Sequence, residues 1–415
     1  MKKQKSVIIF SIIFILSLFT ASFALASGSP FTGGDRYIIG GNGGELGKSG
    51  FGAYFGIDKN APGTHDGNTS PIVAPSFAYV FEKGQVPGSY YGGSGGNITF
   101  GKLSEDYTFN NNLFLVAGKG GATENTGIGA KGGNALLYAK SLDIKGDFTA
   151  LTGSGGKGAK GGNIIIQVAG NIVVGGKFTA HGGDVGTGGS TTGNTNIKAA
   201  IIATQKGASF VRTQNNMYLT LTQLYLGDNN AVALFQSNTP GGALRAKIDI
   251  LIIKKSALLN LVGTKVDAKL NPLLDNKETE VEIGTISISS GGNLAVTKNN
   301  GDFKFKSLRA ETNSFLASTL PLKDKDVEFV ITNGNIQKND TILLSNDSLD
   351  MTGARIHITV NAALQNLQKG DSIILASKAK GDFVPVLVNA GTRVPSGSFS
   401  FKVELQNGKL TATIQ

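Results

Sequence analysis

Gly129-Ala130-Lys131-Gly132-Gly133-Asn134 returns 29 residues later as Gly158-Ala159-Lys160-Gly161-Gly162-Asn163. Each copy opens onto an apolar run, Ala135-Leu136-Leu137-Tyr138-Ala139 in the first and Ile164-Ile165-Ile166-Gln167-Val168 in the second. Each then reaches a second run, Gly146-Asp147-Phe148-Thr149-Ala150 and Gly176-Lys177-Phe178-Thr179-Ala180. Phe148 and Phe178 lie 30 apart, so one residue has been inserted between the copies. Looser copies start at Gly95-Gly96-Asn97 before Ile98-Thr99-Phe100, and at Gly291-Gly292-Asn293 before Leu294-Ala295-Val296.

Inside the unit the period is two. Leu142, Ile144, Phe148 and Ala150 alternate with Ser141, Asp143, Lys145, Asp147 and Thr149, the pattern of strands with one buried and one wet face. Two short strands cannot bury an apolar face alone, so the unit must stack on its next copy, and stacked units make parallel sheets. Glycine and asparagine suit the corners, since both accept positive φ and stacked Asn can form ladders. The alternation continues at Leu219 and Leu221, Ile286 and Ile288, Val327 to Ile331, Ile356 to Val360, and Leu410 to Ile414. The expected fold is all-β, a right-handed parallel β-helix (solenoid) with a C-terminal β cap. At roughly 20–30 residues per coil it would make a rod on the order of 60–90 Å long. Antiparallel sandwiches are the structural rival, but the glycine tracts are too long for tight hairpins. A short helix is expected at Asn361 to Lys369 from its Ala and Leu content.

Glycine makes up 59 of the 415 residues, about 14% against a usual ~7%. Cysteine is absent, which excludes disulfides, thiolate metal sites and a Cys nucleophile. Lys2, Lys3 and Lys5 precede an uncharged apolar run from Val7 to Phe19, and Ala24-Leu25-Ala26 supplies an A-x-A cleavage site. This is the pattern of an export signal cut after Ala26. Loss of those three lysines lowers the formal charge from +10 to +7. The remaining lysines are dispersed among carboxylates, with no basic run suited to nucleic acid. The expected divisions are 1–26 signal peptide, 27–90 N-terminal cap and first strands, 91–190 glycine-rich repeats, 191–345 continued β-helix and 346–415 capping segment.

Several motifs imitate chemistry. Gly127 to Gly132, Gly153 to Gly158 and Gly156 to Gly161 match G-x-G-x-x-G, yet a strand rather than a phosphate-binding helix is expected after each. Gly47-Lys48-Ser49 resembles the end of a P-loop, but Asn42 stands where its first glycine belongs. Gly92 to Phe100 resembles a calcium-binding nonapeptide with Asn in place of Asp and no tandem partner. His65, His181 and His357 are far apart, with His357 on the outward phase of its strand, so no zinc site is expected. Asp324 with Asp326 and Asp347 with Asp350 are the closest carboxylate pairs, read as solvated turn residues. No catalytic residue, metal or cofactor is expected. Lysines remain: Lys119, Lys131, Lys157, Lys160 and Lys177 lie in or near the glycine loops. In-register stacking would set Lys131 beside Lys160 as a surface for anionic glycans or lipid head groups.

Ile356-His357-Ile358-Thr359-Val360, Leu367, Lys369 to Ala376, Gly381-Asp382-Phe383, Phe401 to Leu405 and Leu410 to Ile414 together resemble the end of an autotransporter passenger. Leu226 to Ala231, Ile248 to Ile252 and Ser256 to Leu261 are similar to stretches of vacuolating-cytotoxin-like passengers. The resemblance covers about a quarter of the chain. It implies an exported β-helix whose end segment assists folding outside the cell of a Gram-negative-type bacterium, and an outer-membrane translocation partner. The alternating strands of the family's barrel are not found before Gln415, so a barrel-less, split or truncated relative is expected, periplasmic if no partner translocates it. Ser27 to Gly50 carries Asp35, Arg36, Glu45 and Lys48 where the cytotoxin has an apolar glycine zipper. The leading functional expectation is a non-enzymatic surface or secreted protein that contacts a host or neighbouring cell. A membrane-acting toxin and a polysaccharide lyase or hydrolase are the alternatives.

Overall fold

The computed structural model describes residues 97–120, 129, 131–184, 186, 194–212, 216–238, 243–263, 278–362, 364–386 and 400–415, with backbone alone for 36–39, 53–55 and 389–390. The described residues are all-β with no helix. Two long sheets account for nearly all of the strands, one of sixteen (sheet 1) and one of thirteen (sheet 2). At a strand spacing of about 4.8 Å, sheet 2 is about 58 Å long.

The repeat motif appears as a set of three short strands. Ile98–Phe100, Asp106–Phe109 and Leu113–Val116 form the first set; Ala135–Ala139, Ser141–Ile144 and Phe148–Leu151 the second; Ile164–Val168, Asn171–Val174 and Lys177–His181 the third. Each strand pairs in parallel with its counterpart in the next set: Ala135 with Ile164, Leu142 with Ile172, and Phe148 with Phe178. From residue 194 the first two strands of the set fuse. Asn194–Thr204 pairs with Ile164–Val168 along its first half and with Asn171–Val174 along its second, and is followed by Gly207–Arg212. Asn216–Leu226, Leu244–Ile253, Thr279–Ile288 and Asp302–Glu311 repeat this plan. Their pairing steps over Ala200, Thr222, Asp249, Gly284 and Lys306 in turn. Ala200 N–H donates to the Gly170 carbonyl, as Gly170 N–H does to Lys140, so the turn of the early sets has become a bend in one strand.

The interior follows the period-two pattern. Leu142, Ile144, Phe148 and Ala150 are buried, as are Leu219, Leu221, Ile286, Ile288, Val327, Phe329, Ile356, Ile358, Leu410, Ala412 and Ile414. Phe148, Phe178, Phe210 and Phe235 stack along the long axis, with ring centroids 4.9, 5.5 and 5.3 Å apart. Burying each such ring contributes about 1.5–3 kcal/mol, and each ring pair about 0.5–1.5 kcal/mol beyond that.

The asparagines of the Gly-Gly-Asn motif work through their side chains, and positive φ is taken by asparagines elsewhere. Asn97 Oδ1 accepts the Asn134 N–H at 2.8 Å, and Asn134 Oδ1 accepts the Asn163 N–H at 2.8 Å, a ladder that ties consecutive sets together. A second ladder runs from Asn112 Oδ1 to the Asp147 N–H and from Asp147 Oδ1 to the Lys177 N–H. Positive φ falls instead at isolated turn residues such as Asn230, Asn300 and Asn313.

Two features depart from the parallel plan or from expectation. Ser372–Ala376 pairs antiparallel with Lys409–Ile414, which pairs antiparallel with Phe401–Gln406 through an Asn407-Gly408 turn. Both turn residues have positive φ, as a two-residue hairpin requires. Among the described residues of 361–369 there is no helix. Leu364 and Leu367 do face the core, but Asn361 N–H bonds to the Ile331 carbonyl and Gln365 N–H to Gly334. With its N–H committed to Gly334, Gln365 cannot bond to the Asn361 carbonyl and close the first helical turn.

Candidate functional surface

The glycine tracts connect the end of a sheet 2 strand to the start of the next sheet 1 strand. Outgoing and returning legs bond directly through their backbones, both within one tract and between neighbouring tracts. Gly133 N–H donates to Gly118, Gly153 N–H to Gly133, and Gly162 N–H to Gly153, at 2.8, 3.2 and 2.8 Å. A Cβ on Gly153 would overlap the Gly118 carbonyl, and one on Gly162 the Gly133 carbonyl. These glycines are required by close approach of backbones, which only a residue without a side chain allows. Gly158 is the one described residue of the tracts with positive φ.

This geometry places the lysines. Gly132 N–H donates to the Lys160 carbonyl at 2.9 Å, which sets Lys131 beside Lys160 on adjacent returning legs. Lys119 sits on an outgoing leg in line with Ser154 and Asp184, since Gly120 N–H bonds to Ser154 and Gly155 N–H to Asp184. Lys157 is exposed near the tip. Lys177 is not with them. It begins the strand that ends at His181, about 16 Å away at strand rise, on the corner where sheet 1 hands over to sheet 2.

The outer face of sheet 1 carries paired charge. Lys304 Nζ lies 3.1 Å from Glu280, Lys306 3.5 Å from Glu282, and Arg309 bridges Glu311 at 2.7 Å and Glu328 at 3.4 Å. The hydrogen bond that Lys304 donates to Glu280 raises the Lys304 pKa. Asp326 is a strand residue rather than the expected turn residue. It clamps Arg355 through both carboxylate oxygens, at 2.7 and 2.5 Å, and lies 3.3 Å from His357 Nε2. Asp324 does lie in a turn, at φ 57°. Asp347 accepts the Thr319 hydroxyl, and Asp350 takes both the N–H and hydroxyl of Thr352. Sequence reading missed the pairing of Asp326 with Arg355 and His357 and of Arg309 with Glu328 because these partners are 19 to 31 residues apart, and only register joins them. The outward phase of sheet 2 differs, with Phe114, Thr149, Thr179, Ser209 and Leu234 aligned in one line and Ser209 itself buried.

Arg212 is 1% exposed and had no sequence signal at all. Its Nε donates to Ser237 Oγ at 2.9 Å. Burial lowers its pKa, and the charge of Glu278 opposes that shift.

The glycine motifs of 153–161 lead into the strand Ile164–Val168, with no helix N-terminus to hold phosphate. Among the described residues no group of three or more His, Asp or Glu is placed to hold a metal, and no helix is long and apolar enough to cross a membrane. Ala24 and Ala26 of the cleavage site, the P-loop-like segment at 47–49 and His65 lie outside the described residues. Comparison with protein families, with curated proteins and with solved structures returned no match.

Proposed function

We propose that the chain is an exported, autotransporter-passenger-like right-handed parallel β-helix that contacts host or neighbouring cells through side chains displayed along its length. The supporting observation is the register: two parallel sheets hold outward residues of successive sets in fixed lines, a stiff scaffold suited to multipoint contact. The signal pattern ending at Ala26 supports export, and the antiparallel hairpin at 401–414 is compatible with the end segment that the resemblance implies. The ligand in this reading is an anionic glycan or lipid head group, with no chemistry performed on it. Expression of the full chain in a Gram-negative host tests it. The expected result is a processed protein beginning at Ser27, outside the inner membrane, that binds cultured cells. Retention of Met1 with cytoplasmic fractionation, or an exported protein that binds no cell type, overturns it.

A further inference from the structure

The corner between sheet 1 and sheet 2 is built by a continuous set of backbone bonds. Gly175 N–H donates to Ile144, Gln205 to Val174, Lys206 to Gly176, Gly227 to Thr204, Asp228 to Gln205 and Lys254 to Leu226. Residues that are 23 to 31 apart in sequence are thereby stacked at about the 4.8 Å strand spacing. The side chains that result are Lys145, Lys177, Lys206, then Lys254 and Lys255, all exposed.

Three carboxylates share this edge. Asp143 pairs with Lys145 at 2.6 Å, Asp228 lies 3.5 Å from Lys255, and Asp147 accepts the Lys177 backbone N–H. Asp228 also accepts the Asn229 N–H, which together with Lys255 and Lys206 lowers its pKa. Lys177, Lys206 and Lys254 form no ion pair among the described residues. Five ammonium groups against three carboxylates leave the edge positive, and the cations fall within a band three residues wide along the corner, interrupted at the set of Gly227-Asp228. The adjoining outer face of sheet 2 offers no competing carboxylate on the Phe114 to Leu234 line.

We propose that this corner is a binding rail for a linear acidic polysaccharide, laid along the long axis so that its recurring negative charges meet Lys145, Lys177, Lys206, Lys254 and Lys255 in succession. A band of cations only three residues wide and directed along the long axis matches a polymer whose charges recur along a chain, whereas a membrane surface is met best by charges spread over a face. The proposal deepens the surface-binding reading above and rests on it, moving the ligand from the glycine loops to the opposite edge of sheet 2.

The test uses the full chain with heparin as probe, phosphatidylserine vesicles and single-stranded polyuridylate as competitors, and cell binding in parallel. Lys177→Gln/Lys206→Gln/Lys254→Gln is expected to weaken heparin binding by about tenfold or more and to flatten its salt dependence. Lys198→Gln/Lys247→Gln/Lys306→Gln on the outer face of sheet 1, and Lys131→Gln/Lys160→Gln in the glycine legs, are expected to stay within about twofold of the parent, as dispersed charges do. Unchanged circular dichroism establishes that each variant is folded. Equal losses in all three variants, a loss confined to the glycine-leg variant, or tighter binding to vesicles or polyuridylate than to heparin overturns the rail. Cell binding without heparin binding also overturns the rail and leaves the surface-binding reading intact. Heparin binding that follows the rail without cell binding supports the rail and overturns the cell-contact reading.

Discussion

Residues 97–184 and 194–311 close the same corner with opposite materials. In the first region sheet 2 returns to sheet 1 through glycine legs whose backbones bond to one another. In the second the corner contains buried polar side chains: Arg212 against Ser237, and Thr279, whose hydroxyl donates to the Val262 carbonyl at 2.8 Å. Where side chains are absent, backbone contact sets the width of the interior, and the strands stay short. Where they are present, each strand of sheet 1 runs for ten or eleven residues and bends. A corner of bare backbone tolerates no added atom, while one of side chains depends on satisfied polar groups.

The sharpest way to test that contrast begins with what both regions share. Phe178 touches Phe148 on one side and Phe210 on the other, so Phe178→Ala is expected to cost about 4 kcal/mol and to lower hydrogen-exchange protection in both regions. Loss of protection on one side alone would show that the aromatic stack does not couple them. Gly162→Val comes next. Its side chain would meet the Gly133 carbonyl, which is held by neighbouring backbone, and a cost of about 3 kcal/mol is expected within 97–184 while strands at 279–311 keep their protection. A mild or evenly spread effect would break the distinction between the two corners.

Asn134→Ala removes the acceptor for the Asn163 N–H, and Asn216→Ala removes the one for the Ala243 N–H. Each is expected to cost about 1 kcal/mol in denaturant titration, because both regions use this device alike. Unequal costs would mean that the ladder matters in one region only. The smallest effect is electrostatic. The Ser141 hydroxyl, at 2.6 Å, and Lys140 hold the Asp106 carboxyl below its ordinary value of 3.8. A carboxyl depressed in the folded state contributes stability above the unfolded pKa, and that contribution is lost as pH falls through the lowered folded value. Ser141→Ala is expected to raise the Asp106 pKa towards 3.8, read by carboxyl chemical shifts in an NMR titration. A pKa that stays put would assign the shift elsewhere.

Legibility in the sequence differed between the same two regions. Gly-Gly-Asn, the Phe148 and Phe178 positions and the inward phase of Leu142 and Ile144 could all be read directly, because alternation and repetition are local. The reason for the glycines could not: conformational freedom suggested positive φ, whereas the structure uses them for contact between chain segments far apart in sequence. Asn361 to Lys369 misled for the same reason, since composition favoured a helix while the Gln365 donor was already taken by the preceding set. The second region showed only the loose copy at Gly291-Gly292-Asn293 because its offsets vary, from 22 residues between Ile197 and Leu219 to 35 between Ala246 and Val281.

Residue order alone determined that this chain alternates in strands, that its apolar side chains point one way, and that its glycine modules must stack on one another. Tertiary structure decided which outward residues become neighbours. Lys131 joins Lys160, Asp326 joins Arg355 and His357, and Lys177 stands apart from the glycine-loop lysines beside Lys145 and Lys206. The physical reason is register: hydrogen bonding aligns strands to the residue, but the loops between them differ in length, so no spacing along the chain encodes which side chains share a line.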